Sequence, residues 1–247
     1  MRGWLAAGRV RVDGLVVRRG DAEVAADARV ILGKAAPAFP SALGLVHEDD
    51  DLLVVDKPPG LLTVATERER ERTAHRLLDD YVAAHDRGAR VFIVHRLDRE
   101  TSGLLVFAKT AAVKRRLQAQ FAARTVERGY VAVVEGRVRD DAGTLRDRVA
   151  EDPTTLRVRT SRRGREAITA YRVRERRART TVLELRLSTG RRGQIRAQLA
   201  ALGHPIVGDR AFGAKTDPLR RVCLHAAVLG FTDARGRPLR FSSAPHF

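Results

Sequence analysis

The chain is poor in the residues that build covalent or metal-centred chemistry. A single cysteine, Cys223, stands among its 247 residues, so an internal disulfide is excluded, and its apolar neighbours mark it as a small buried hydrophobe. The seven histidines form no His-Glu-x-x-His pattern, no Cys-x-x-Cys exists, and no close pair has metal-ligand spacing, which argues against a protein-built metal site. No Gly-Lys-Ser/Thr phosphate loop and no dinucleotide-type glycine fingerprint is present, disfavouring nucleotide-driven and hydride-transfer chemistry. Apolar runs stay far below the roughly 20 residues of a membrane span. The opening residues 1–8 carry too short an apolar stretch for a secretory signal. These absences lead us to expect a reducing, cytoplasmic setting.

Acidic charge is also in short supply. Lys plus Arg number 47 against 30 Asp plus Glu, a formal charge of +17. Of the basic residues 42 are Arg and 5 are Lys, a ratio we assign mainly to coding bias, while the excess itself points to a polyanionic partner. A chain of this length buries one good core with room for a small appendage. Near the start, Val10 and Val12 alternate with arginines, Asp13-Gly14 is a hairpin signal, and Leu15-Val16-Val17 returns. Residues 35–44 break both periodicities and read as a linker. The expected organisation is therefore 1–34 as a small module, 35–44 as linker and 45–247 as the main domain.

Within that domain, Asp51 to Asp56 reads as a strand closed by Lys57-Pro58-Pro59-Gly60, where paired prolines end the ladder. Thr73 is placed to cap a helix bearing Leu77, Leu78, Tyr81 and Val82 at helical spacing. A second helix from about Ala111 carries Val113, Leu117 and Phe121, with Lys114, Arg115 and Arg116 on a basic face that is either solvated or turned to RNA. Strand patterns follow over 128–138, 156–160, 168–173 and 181–187, an antiparallel meander with arginine-rich turns. Residues 194–202 then read as a helix with Ile195, Leu199 and Leu202 inward and Gly203 ending it. Strands and helices do not alternate strictly, so the fold class is α+β with a mixed, largely antiparallel sheet and flanking helices.

The most informative stretch is His95-Arg96-Leu97-Asp98-Arg99-Glu100-Thr101-Ser102-Gly103, a charged loop between two short apolar strands. Asp98 sits between arginines and beside Leu97, a setting that can hold a carboxylate ionised and partly shielded from water. The bland alternative is a turn whose Asp and Thr bond their own backbone. Gly190-Arg191-Arg192-Gly193 looks like a KH-domain clamp, but it lies between strand and helix, where it reads better as an anion-attracting helix start. Chemistry on a nucleobase requires a base drawn out of its stack, an aromatic or apolar wall, and a positioned acid, base or nucleophile. Asp98, Tyr130 and Arg196 are the candidates for that set.

The Asp98 segment, running into Leu104-Leu105 and Ala108-Lys109, resembles the signature of the RluA-type RNA pseudouridine synthases. The likeness extends through Val55 to Gly60, Arg128-Gly129-Tyr130-x-Ala132, Gly190-Arg191-x-x-Gln194-Ile195-Arg196, Gly203 to Asp209, and Leu224-His225-Ala226. The resemblance implies the pseudouridine synthase fold, with a bent sheet, and isomerisation of uridine in RNA without cofactor or metal. It implies Asp98 as the essential carboxylate, acting as nucleophile or as base. It further implies Arg96 filling the place of the flipped nucleotide, Tyr130 stacking on the base and assisting proton transfer, Arg196 paired with Asp98, and Leu224 in the pocket wall. Thr101, Gln194 and Lys57 join the expected substrate-binding set, although Lys57 also reads as a backbone anchor; His95 and His225 read as oriented, satisfied histidines. The N-terminal hairpin is similar to part of an S-four-like RNA-binding module, either degenerate or beginning late. Ribosomal RNA is the expected substrate, transfer RNA or a weakly catalytic RNA-binding role the alternatives, and a monomer the expected state. Three positions depart from the family pattern: Gly193 and Gln198 stand where histidines are usual, and Phe212 where tyrosine is usual.

Overall fold

A computed structural model describes residues 2–6, 8–13, 15–17, 20–33, 38–86, 88–152 and 158–247. The expected turn residue Gly14, the linker residues Ala35, Ala36 and Pro37, and Leu156 at the start of an expected strand lie outside the described residues. At the N-terminus, α1 (Arg2–Ala6) precedes β1 (Val10–Val12), β2 (Leu15–Val17) and β3 (Val30–Leu32), which form a three-stranded antiparallel sheet in the order β2-β1-β3. The sequence pattern had shown the hairpin, and β3 adds a third strand.

The remaining strands make one eleven-stranded sheet: β4 (Gly44–Glu48), β5 (Leu52–Lys57), β6 (Phe92–Ile93), β7 (Ser102–Ala108), β8 (Glu127–Glu135), β9 (Ala142–Glu151), β10 (Val158–Thr160), β11 (Arg165–Arg176), β12 (Thr180–Leu187), β13 (Leu224–Thr232) and β14 (Pro238–Ser242). Its order is β10-β9-β11-β12-β8-β13-β7-β5-β4, with β14 on β13 and β6 on β7. Every pairing is antiparallel except β13 with β7. Leu43 is buried in the core beside β4, so the segment just ahead of the main sheet packs against it.

The apolar runs of β5 and β7 are continuous because that part of the sheet is covered on both faces. Leu105 and Phe107 pack with Leu78 and Val82 of α2 (Ala74–His85); Leu104 and Val106 pack with Val113 and Leu117 of α3 (Ala111–Ala122). Both helices start where expected: Thr73 Oγ1 accepts from the Arg76 N–H and Thr110 Oγ1 from the Val113 N–H. A further core joins β8, β12 and β13 to Ile195 and Leu199 of α4 (Gln194–Ala201).

Three readings need correction. β9 went unseen because its pattern is half-wet along its length and includes Gly143, where the Tyr171 ring occupies the space a Cβ would take. β8 ends at Glu135 rather than 138, since Gly136 turns away with φ 78°. Leu202 is exposed rather than inward, because it caps the C-terminus of α4 as Gly203 reverses the chain. α4 itself is not amphipathic: the positions 194–199 are all buried, polar Gln194, Arg196 and Gln198 included.

Candidate active site

Asp98 lies on the loop between β6 and β7, and the residues on either side of it are tied down. The Thr63 hydroxyl donates to the Leu97 carbonyl (2.9 Å), and its oxygen accepts from the Leu97 N–H (3.2 Å). On the other side the Arg99 carbonyl accepts from the Gly60 N–H (2.8 Å) and from Lys57 Nζ (3.2 Å). Lys57 is fully buried and also donates to the carbonyls of Pro58 and Leu61, 2.8 Å each. Burial lowers its pKa to about 8. Its ammonium is spent on backbone carbonyls beneath the loop, which makes Lys57 an anchor of that loop. Thr63, whose role no motif had signalled, is the matching anchor on the opposite side.

A cavity of about 730 Å³ opens beside this loop. Asp98, Arg96, Thr101, Tyr130, Gln194, Arg196 and Leu224 all line it, so seven of the eight expected site residues converge from three elements, β8, α4 and β13, and a loop. A second cavity of about 990 Å³ shares Arg96, Asp98, Arg192 and Arg196 with the first. Gln194 is buried, and its amide bonds Thr189, Thr169, the Ile168 carbonyl and the Arg191 N–H. It shapes the turn into α4 more than it offers polar groups to a ligand.

Arg196 faces two carboxylates besides the expected Asp98. Its guanidinium makes a fork on the buried Asp209, Nε to Oδ2 at 2.6 Å and Nη2 to Oδ1 at 2.8 Å, while Nη1 reaches Glu100 at 2.9 Å. The expected partner Asp98 is 3.8 Å from Nη1, within electrostatic reach but beyond a hydrogen bond. Phe212 lies under the same guanidinium, 4.7 Å from ring centroid to Cζ, so the ring at this unusual position is a stacking surface. Gly193 and Gln198 also find reasons: Gly193 adopts φ 58° at the start of α4, and Gln198 bonds Thr169 (2.6 Å) and Asp147 (2.9 Å) inside the β9–β11 wall.

Burial first, and the local charges second, shift the titrating groups. Burial raises the Asp98 carboxyl pKa, Arg196 opposes that shift, and Glu100 adds to it. Asp98 is therefore harder to ionise than an ordinary aspartate, contrary to the reading that its arginine neighbours dominate. Burial pushes Tyr130 up to about 12, leaving a neutral phenol at physiological pH. His95 is driven down to about 3 by burial, stacks on Phe121 and accepts from the Val106 N–H, a structural arrangement. Among the described residues no group of three or more His, Cys, Asp or Glu converges on a possible metal position, and no helix is long and apolar enough to cross a membrane.

A carboxylate at the edge of a cavity, a phenol on a strand, an apolar wall and an anchored guanidinium thus face one space. Residues 51–201 match the family model described as RNA pseudouridylate synthase. The chain is 33% identical to the Bacillus subtilis protein named uncharacterized RNA pseudouridine synthase YhcT, covering 90% of this chain and 76% of that one. It is 37% identical to a Xanthomonas campestris protein named ribosomal large subunit pseudouridine synthase D, over 98% of this chain and 79% of the relative. The solved structure of human RNA pseudouridylate synthase domain containing 1 superposes with a TM-score of 0.69 at 25% identity, covering 84% of this chain and 85% of that one. Human RNA pseudouridylate synthase domain containing 4 shares the fold, with a TM-score of 0.69 at 22% identity over 82% of this chain and 88% of that one. The chain belongs to the RNA pseudouridylate synthase family and is of its RluA type. It is an isomerase that acts on RNA.

Proposed function

We propose that Asp98 is the essential carboxylate of this synthase and that its substrate is ribosomal RNA. The observation that carries the first part is the placement of Asp98, pinned through Leu97 and Arg99, at a cavity that also receives Tyr130, Leu224 and Arg196. Converting uridine to pseudouridine breaks the bond from N1 to C1′ and forms one from C5 to C1′; C5 gives up a proton and N1 gains one, so atoms and electrons balance within the substrate. Whether Asp98 adds as nucleophile or removes a proton, it reacts as the carboxylate. Burial works against that form and Arg196, 3.8 Å away, offsets part of that cost. Arg96 is exposed at the mouth of both cavities, where it takes the space a flipped nucleotide leaves. Tyr130 offers a neutral ring and hydroxyl to the uracil, and Leu224 closes the wall.

The ribosomal assignment is supported by relatives named ribosomal large subunit pseudouridine synthase D. The 1–34 unit is read as an RNA-binding appendage ahead of the catalytic domain, acting as a monomer in the cytoplasm. Assaying Asp98→Ala and Asp98→Asn for pseudouridine formation tests the carboxylate, and turnover retained in either refutes it. Pseudouridine mapping of ribosomal and transfer RNA, with and without the gene, tests the substrate. A change confined to transfer RNA overturns the ribosomal reading; unchanged pools in both would favour an RNA-binding role on the same fold.

A further inference from the structure

The proposed site straddles a narrow seam. β13 and β7 pair over two registers, His225 with Ser102 and Ala226 with Gly103, whereas β5 with β7 and β8 with β13 each pair over six. Asp98 hangs from the β7 side. Tyr130 on β8 and Arg196 on α4 belong to the other side, and Leu224 on β13 lies at the join. Two ladder registers are a slender hold for groups that must meet to within a fraction of an ångström.

We propose that the hydrogen-bonded series Arg221, Ser102, His225, Ser243 and Asp56 is a positioning device that spans this seam and sets Asp98 against Tyr130 and Arg196. The inference rests on the reading of Asp98 as catalytic. Arg221 Nη2 donates to Ser102 Oγ at 2.7 Å; Ser102 Oγ lies 2.8 Å from His225 Nδ1; His225 Nε2 lies 3.1 Å from Ser243 Oγ; and the Ser243 hydroxyl donates to Asp56. The Ser243 hydroxyl spends its one proton on Asp56, so it accepts from His225 Nε2–H; burial favours the neutral imidazole, whose Nδ1 then accepts from Ser102. Ser102 donates to Nδ1, and Nε2–H donates to Ser243. The bond to Ser243 puts a proton on Nε2, and burial drives His225 toward the neutral form. Such a one-way series between opposite charges is mutually polarised, and each bond strengthens the next.

The series runs across neighbouring strands of the sheet, from β5 and β7 to β13 and the end of β14. Asp56 is on β5 and Ser102 begins β7, directly after the Asp98 loop. His225 is the neighbour of Leu224, with strand alternation sending the two side chains to opposite faces. Ser243 follows β14, its N–H donates to the Ala227 carbonyl, and the Arg221 guanidinium lies over the Phe247 ring at 5.1 Å, so the segment 243–247 straps the join. His225 and Ser102 are 1% and 3% exposed, which shields the series from competing water.

Because none of these side chains lines either site cavity, cutting the series should slow chemistry without weakening RNA binding. A misplacement of about 1 Å at a reacting centre costs roughly a hundredfold, and one cut link should shift Asp98 by less. The experiment measures single-turnover pseudouridine formation, RNA Kd and melting temperature for Ser243→Ala, Ser243→Thr and His225→Leu beside wild type and Asp98→Asn. Expected are a roughly tenfold or greater loss of rate in Ser243→Ala and His225→Leu at unchanged Kd, and recovery in Ser243→Thr, which keeps the hydroxyl. Should His225→Leu fail to fold, the half-buried Ser243 pair decides alone. A folded Ser243→Ala with a rate within twofold of wild type, or a loss residing wholly in Kd, overturns the proposal. Activity in Asp98→Asn refutes the reading of the site instead, whatever the Ser243 variants show.

Discussion

The fork between Arg196 and Asp209 is the most consequential polar contact around the site, and its removal can be predicted in magnitude. Asp209 is 1% exposed and the Arg196 side chain 10%, with two charge-assisted bonds of 2.6 and 2.8 Å. Removing one partner of a buried pair strands the other charge at a cost of roughly 3–5 kcal/mol. Glu100 still reaches Nη1 from a half-exposed position, so for Asp209→Ala the lower end, about 3 kcal/mol, applies. At roughly 2–4 °C per kcal/mol for a domain of this size, the melting temperature should fall by about 6–12 °C. Arg196→Met strands Asp209 and should cost at least as much. In the double variant neither charge is left alone, so its loss should fall short of the sum by about 2–3 kcal/mol. Urea denaturation of the four proteins gives the cycle directly. Additivity within about 0.5 kcal/mol would show that the two side chains do not act as a pair, and the account of how Arg196 is held would be wrong.

Three further outcomes follow from the same geometry. Burial raises the Asp98 pKa, so ionising it costs folding stability at neutral pH. Asp98→Asn should therefore melt higher than wild type at pH 7, and thermal scans should show that advantage vanishing below about pH 4, where the carboxyl is protonated in both folded and unfolded chains; an advantage that persists in acid contradicts the assignment. Glu100→Gln removes a charge that raises Asp98 and frees Arg196 Nη1, leaving Arg196, Arg192 and Arg96 facing the carboxylate; the acid limb of its pH–rate profile should move to lower pH, and a static or upward-moving limb would count against Asp98 reacting ionised. Gly103 has φ 113°, and a Cβ there would stand 2.3 Å from the Ala226 carbonyl oxygen. Gly103→Ala should lose several kcal/mol or fail to accumulate folded, and a chemical denaturation midpoint equal to wild type would refute the close approach of β7 and β13.

Much of the molecule was legible along the chain because the governing interactions are local. Thr73 and Thr110 cap helices whose apolar spacing is visible within a dozen residues, and the uninterrupted apolar run 104–108 announces a strand covered on both faces. The half-wet pattern of β9 carried no such mark, and its place beside β11 depends on residues some twenty positions away. The seven residues at the cavity were recognised by kind and spacing in their motifs, whereas Lys57 belonged to a motif and proved to be an anchor, since only the folded chain shows where an ammonium points.

By itself the sequence determined the basic character, the absence of disulfide and metal-motif chemistry, the α+β class and the motif that carries Asp98, because composition, periodicity and short motifs are properties of neighbouring residues. Only the tertiary structure decided which carboxylate Arg196 grips, which way the Asp98 pKa moves, and what holds the two halves of the sheet together. Pairings between residues 196 and 209, 63 and 97, or 102 and 225 are fixed by packing across strands distant in sequence. A pKa depends on how much water the surrounding fold excludes, and no local pattern records that.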